Sequence, residues 1–385
     1  MRAALALAFL ALTAGAAAAQ DLRIGHLSLL DDPRYVQDWG YARLVVPPPI
    51  RTVQAAEMAI SDLAFVTEAV GLTPVLDARE VTADQAVAAL QSMVADGAGA
   101  VVLDLPAALA DEVAEAAETL PVTLINGTAP EDSLRSACHP NLLHSYPSER
   151  MLMDAQVQYL RAMDWLTVLV LVGEDPHDQG LADAFIASAE RMRLTIADTR
   201  AFTLAANPEA REGNNVKLLT SGLDYDVVFV ADTRGEFGRF IPYGTQLPRP
   251  VIGSVGLTAL AWHWALERDG ATQVSSRFDK WTKGRKMSSA DWSVWIAVKS
   301  VLTAYTKVPK ADPAKVQDYL RSAKARLDGS KGVTLNYRAW DGQMRMPVLL
   351  ATSDAVIAIA PIEGYMHPET VLDTLGTDQA EFACD

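Results

Sequence analysis

The chain has 385 residues, half of them hydrophobic, and a formal net charge of −15 at pH 7. That length allows two ordinary domains. The charge excludes nucleic acid, whose phosphates need clustered Lys and Arg, and makes anionic membrane surfaces poor partners.

Residues 1–19 read as a secretory leader: Arg2, an apolar run over residues 3–13, and the small residues of "AGAAAAQ", with cleavage expected after Ala19. No other segment reaches about 18 uninterrupted apolar residues, so the mature protein is expected not to span a membrane and to work in a bacterial periplasm. The two cysteines, Cys138 and Cys384, would meet an oxidising compartment there and are expected to pair.

Strand-like and helical patterns then alternate. "RIGHLSLL" precedes a proline-punctuated loop and the helical "TVQAAEMAISDLAFVTEAV"; "TPVLDAREV", "ADQAVAALQSMVADG", "AVVLDL", "PAALADEVAEAAETL" and "VTLIN" follow. Thr82 with Gln85 three places on reads as a helix start. A second series begins near Ser148 with "ERMLMDAQVQYLRAM", "VLVLVGEDPHDQG", "LADAFIASAERM", "TIADTRAF" and "YDVVFVAD". Here the helix after "VLVLVG" is expected to start at Leu181. Alternation of this kind predicts parallel sheets covered by helices, in two α/β lobes. After Gly256 come a tryptophan-rich stretch, the helix "ADWSVWIAVKSVLTAYTKV", a short helix near residues 316–322 and a hairpin in "MPVLLATSDAVIAIAPI" turning at Ser353 and Asp354.

Ligands of open α/β sheets bind outside the carboxyl ends of the strands. The loops after Leu30, Leu105, Ile125, Val172, Ala231 and Ser254 are therefore the candidates. In "GEDPHDQG", Glu174, Asp175, His177 and Asp178 lack a regular metal-ligand spacing and a second histidine, which leaves a polar helix cap or a cleft contact. No G-x-S-x-G, H-E-x-x-H, Walker or G-x-G-x-x-G motif is present, so an enzyme is not expected.

The stretches "NLLHSYPSERMLMDAQVQYLRAMDWLTVLVLVGEDPHDQGLADAF" and "YDVVFVAD" resemble the type I periplasmic solute-binding proteins of the leucine/branched-chain amino-acid class. Residues 256–376, with "GLTALAWHWALERDGATQVSSRFDKWTKG" and "LDGSKGVTLNYRAWDGQMRMPVLL", resemble the subgroup associated with PQQ-dependent alcohol oxidation. The loop "PRYVQDWGYARLVVPPPIR" departs from the small-residue pattern of amino-acid binders.

The resemblance implies a two-lobe type I fold, each lobe a mainly parallel sheet flanked by helices, with three hinge crossings. Lobe one would hold residues 21–145 and 258–328, lobe two residues 146–257 and 329–365, leaving 366–385 as a tail. It implies a monomeric substrate-binding component that captures PQQ, or a related solute, for an ABC permease or a periplasmic PQQ-dependent dehydrogenase. The alternatives are an amino-acid or amide ligand, and a sensor or accessory subunit without a transport role.

PQQ is a flat tricarboxylate that needs ring faces and cationic or N–H donors. Trp39, Trp262 and Trp292 are the candidate ring faces, with Tyr41, Trp264, Trp281 and Trp295 nearby in sequence. For carboxylates the candidates are Arg234 at a strand end, with Arg43, Arg135 and Arg150 behind it, and Asn126, Gly127 and Thr128 after "VTLIN". His177, Gln179 and Asp232 complete the expected cleft.

Overall fold

The computed structural model describes residues 20–35, 50–204, 213–308 and 312–384. The expected leader, and Trp39 with Tyr41 and Arg43, lie outside the described residues. No helix among the described residues is long and apolar enough to cross a membrane.

The described residues open with β1 (Gln20–Leu29), α1 (Val53–Ala69), β2 (Leu72–Val81), α2 (Ala86–Ala95), β3 (Ala98–Asp104), α3 (Ala107–Ala116), β4 (Thr123–Asn126), α4 (Ser133–Ser136) and β5 (Leu142–His144). Its strands form one parallel sheet in the order β2-β1-β3-β4-β5. Thr82 does not cap α2; its hydroxyl donates to Asp84 at 2.6 Å and the chain makes a 3-10 turn over Ala83–Gln85 first.

The second series is α5 (Glu149–Ala162), β6 (Thr167–Val172), α6 (Pro176–Arg191), β7 (Thr195–Ala201), α7 (Val216–Leu219), β8 (Val227–Ala231) and β9 (Val251–Gly253), with parallel order β7-β6-β8-β9. "VLVLV" and "VVFVA" are apolar throughout because both faces of a central parallel strand are covered; Val170 pairs with Phe229, and both are fully buried. Helix α6 starts five residues before Leu181. Asp175 accepts from the His177 N–H at 3.0 Å and Pro176 takes the first helical position, a pairing that fixes the start there.

The remainder is β10 (Thr258–Leu260), α8 (Ala271–Trp281), α9 (Ser289–Lys307), α10 (Pro313–Arg321), β11 (Leu327–Asp328), β12 (Thr334–Tyr337), β13 (Met344–Arg345), β14 (Val348–Ala351) and β15 (Val356–Ala360). Strands β14 and β15 form the expected hairpin and, with β10, a small antiparallel sheet packed on α5. Helix α9 opens with a capping box between Ser288 and Asp291. It runs between α1, α10 and β3, so both Trp292 and Trp295 are enclosed. Leu335, Tyr337, Met344 and Met346 join the same apolar cluster as α1 and α9, and that cluster continues into Ala155 and Leu350. Cys138 and Cys384 are bonded, tying the C-terminal residues to the loop before β5.

Candidate functional site

In the first sheet the chain turns one way from β1 to β2 and the other way from β1 to β3, so the switch in strand order falls between β1 and β3. Asp104 ends β3 there, and its side chain is inaccessible to solvent. It accepts from the Tyr35 hydroxyl at 2.7 and 2.8 Å, from Thr52 Oγ1 at 2.8 Å and from Arg34 Nη2 at 3.3 Å. Arg34 also grips Asp32 through Nε and Nη2 and donates from Nη1 to Thr128 Oγ1 at 3.0 Å. Because the Thr52 hydroxyl donates to Asp104, it accepts from His26, whose Nε2 lies 3.0 Å away and carries the proton. Burial, and then the Asp104 charge, push the Tyr35 hydroxyl far above its ordinary range, so it stays protonated and donating.

Above this network lies a cavity of about 580 Å³. Arg34, Tyr35 and Thr128 form its floor, Tyr146 and Leu260 stand where the chain crosses between sheets, and the start of α9 with Arg285, Lys286, Ser288 and Ser289 closes one side. The first N–H groups of a 19-residue helix add partial positive charge there. Arg285 is held by Asp291 at 2.6 Å, and Lys286 sits 5.4 Å over the Trp264 ring, near Asp279 at 3.4 Å. Cations, hydroxyls and two phenol rings in one concavity suit a small ligand that carries a carboxylate.

Among the described members of the expected site, Thr128 alone lines the cavity. Asn126 is buried and shapes the turn after β4: its Oδ1 accepts from the N–H of Thr128 and of Ala129. Trp262 and Trp292 are core residues whose rings stack at 6.1 Å, and the Trp292 Nε1–H donates to the Gly329 carbonyl at 3.0 Å. Both rings are enclosed in the apolar core and neither lines the cavity, although the Trp262 Nε1–H is buried there without an acceptor among the described residues.

On the second sheet, His177 lies exposed in the first turn of α6, and Gln179 donates to the Gly173 carbonyl. Asp232 spends both carboxylate oxygens on the N–H groups of Gly235, Phe237 and Gly238. Arg234 keeps its strand-end position but is 58 % exposed and pairs with Asp175 at 3.4 Å. Asp178 accepts from the backbone and hydroxyl of Thr233 at 2.6 and 2.7 Å, which joins the start of α6 to the turn after β8. Arg135 is buried beneath the β4–β5 loop, and Arg150 pairs with Glu381. No group of three or more potential metal ligands occurs among the described residues.

Sequence reasoning missed Asp32, Arg34, Tyr35, Asp104, Tyr146, Arg285 and Lys286. The strand-end rule covered the loop that carries Arg34 and Tyr35 but began, at the end of β3, one residue past Asp104, and the choice within the first loop fell on its more conspicuous Trp39.

Two buried histidines give the fold a pH signature. Burial, then the charges of Arg135 and Arg321, hold His144 well below its ordinary range, and burial lowers His26 despite Asp104. A histidine whose folded pKa is depressed stabilises fully above the unfolded value near 6.5, and the contribution shrinks as pH falls below it. Glu149 acts in the opposite sense: burial, then Asp132 and Glu131, raise it to about 7, so protonation below that pH favours the fold. Each proton taken up by the unfolded chain alone costs about 1.4 kcal/mol per pH unit. His144→Asn should therefore flatten the fall in melting temperature between pH 6.5 and 5; an unchanged profile would show that His144 does not titrate on unfolding.

Two parallel sheets bridged by a small antiparallel one, with a polar cavity at a switch in strand order, define a two-lobe solute-binding protein. A family model described as periplasmic binding protein matches residues 53–355, and the chain belongs to that family. Its members are binding proteins of the periplasm, not enzymes. A search of curated proteins finds no match. Similar solved structures include a periplasmic binding protein from Burkholderia mallei, at 16 % identity over 95 % of this chain and 99 % of that one, with TM-score 0.68. A branched-chain amino acid ABC transporter periplasmic ligand-binding protein from Burkholderia xenovorans aligns at 14 % identity over 88 % and 95 %, TM-score 0.70. An ABC transporter substrate-binding protein from Desulfitobacterium hafniense in complex with Leu aligns at 15 % over 88 % and 99 %, TM-score 0.66.

Proposed function

We propose that the chain is the substrate-binding component of an ABC import system and that its ligand is a small carboxylate-bearing solute of the amino-acid or amide class. One observation carries the reading: Arg34, Lys286 and the start of α9 converge on one cavity at the β1/β3 switch. The similar protein with Leu bound supports an amino-acid ligand over PQQ. So does the placement of Trp262 and Trp292 in the core, which leaves Tyr35 and Tyr146 as the ring faces. A ligand touching both lobes would favour a closed form, since it can shift the equilibrium only by contacts made there.

Calorimetric titration of a panel of amino acids, their amides and PQQ into the purified protein tests this. A free amino acid should bind, and Arg34→Gln should weaken it about tenfold to a hundredfold, the worth of one charge-assisted hydrogen bond. Lys286→Gln, at an exposed residue whose loss leaves the core untouched, should weaken it less. Binding of PQQ alone would overturn the ligand class; binding indifferent to both substitutions would move the ligand out of this cavity.

A further inference from the structure

A second cavity, of about 200 Å³, shares no lining residue with the first. It lies where the loop before β5, the end of α10 and the turn between β12 and β13 meet, with the Cys138–Cys384 bond on its wall. Two guanidinium groups line it without an ion pair among the described residues. Arg135 is buried, and its donors end on neutral oxygens: Gln343 Oε1 at 3.1 Å and the carbonyls of Ala129, Glu131 and Tyr146 at 2.8 to 2.9 Å. Arg321 donates to the carbonyls of Ala339 at 2.9 Å and Leu142 at 3.0 Å, while its Nε–H is buried with no acceptor.

The third donor follows from an orientation argument. Asn126 Oδ1 accepts two backbone N–H groups, so its Nδ2 is the donor facing His144 Nδ1 at 3.3 Å. His144 Nδ1 then accepts, and the neutral ring carries its proton on Nε2, leaving that N–H as a donor. The ring is 2 % exposed and lines the cavity. The one carboxylate on the wall, Asp341, is committed elsewhere: Oδ1 accepts from the Gln343 N–H at 2.9 Å and Oδ2 lies 3.5 Å from Arg338 Nη1. A water could take up a spare N–H group, but an anion would also offset the charges of Arg135 and Arg321, which Asp341, Asp132, Glu131 and Asp318 act on without forming an ion pair.

We propose that this cavity is a binding site for a small tetrahedral oxyanion, phosphate or sulfate, held by the Nε–H of Arg321 and the Nε2–H of His144 beside the buried charge of Arg135. The anion would join the loop before β5, α10 and the β12–β13 turn at the point where the disulfide holds the C-terminal residues. The site is independent of whichever solute the first cavity takes.

Inorganic phosphate, titrated by calorimetry into the disulfide-bonded protein at constant ionic strength, should bind one saturable site in preference to chloride. Arg321→Gln should weaken that binding about tenfold or more. Arg326→Gln, at an exposed position on the same segment, should leave it unchanged. Because phosphate could also meet the cations of the first cavity, location is read separately from the anomalous signal of crystals grown in selenate. A selenium peak beside Arg321 supports the assignment. A peak only near Arg34, no peak at all, no preference over chloride, or wild-type affinity in Arg321→Gln would each overturn it. If Arg321→Gln does not fold, His144→Gln takes its place, and the selenate position stands without either variant.

Discussion

Trp292→Ala should lower stability by about 3–5 kcal/mol, the range for truncating a large core aromatic. The ring is fully buried, stacked on Trp262, and hydrogen-bonded through Nε1 to Gly329. Lys331 Nζ also lies over its face, 3.7 Å from the ring centre. That lysine is buried and donates to the Pro347 carbonyl at 3.0 Å, and burial holds it well below the ordinary lysine range. Truncation would remove the ring face and leave the Lys331 Nζ beside a void, adding to the cavity cost. Urea unfolding of the variant would show a lower midpoint, while the fraction that remains folded keeps its ligand affinity. The opposite pattern, intact stability with lost affinity, would place Trp292 on the ligand.

Asp104→Ala should cost about 3 kcal/mol and abolish ligand binding together. The carboxylate accepts from Tyr35, Thr52 and Arg34 at once, and its side chain has no access to water. Removal leaves two buried hydroxyls without an acceptor, loosens the Thr52–His26 link, and frees the two residues that floor the cavity. Asp104→Asn keeps the shape and part of the hydrogen bonding, so it should recover some stability while still weakening the hold on Arg34. Denaturant midpoints and solute affinities of the two variants, measured side by side, check both halves. An Asp104→Ala protein that binds like wild type would show that the network supports the fold alone.

Much of the architecture was legible along the chain. "VLVLV" and "VVFVA" announce central strands because covered parallel strands need apolar side chains on both faces. The β14–β15 hairpin was legible from two apolar runs flanking Ser353 and Asp354. The start of α6 was misplaced because Asp175 and Pro176 looked like loop residues, although together they form a helix entry. The candidate site was legible only to the level of loops. Arg34, Trp39 and Arg43 stand close together in the sequence, and nothing in their spacing says that Asp32 and Asp104 will clamp the first of them.

By itself the sequence determined the alternation of elements, the parallel sheets and the set of strand-end loops in which a ligand site is expected. Those follow from local periodicity and the handedness of crossovers, which the chain carries residue by residue. Which side chains face the cavity was decided only by the tertiary structure. Helix α9 is enclosed by α1, α10 and β3, so its tryptophans became core, whereas Asp104 drew Arg34 and Tyr35 inward across about 70 residues of chain. A buried carboxylate needs donors wherever the fold can bring them, and sequence distance places no limit on that choice.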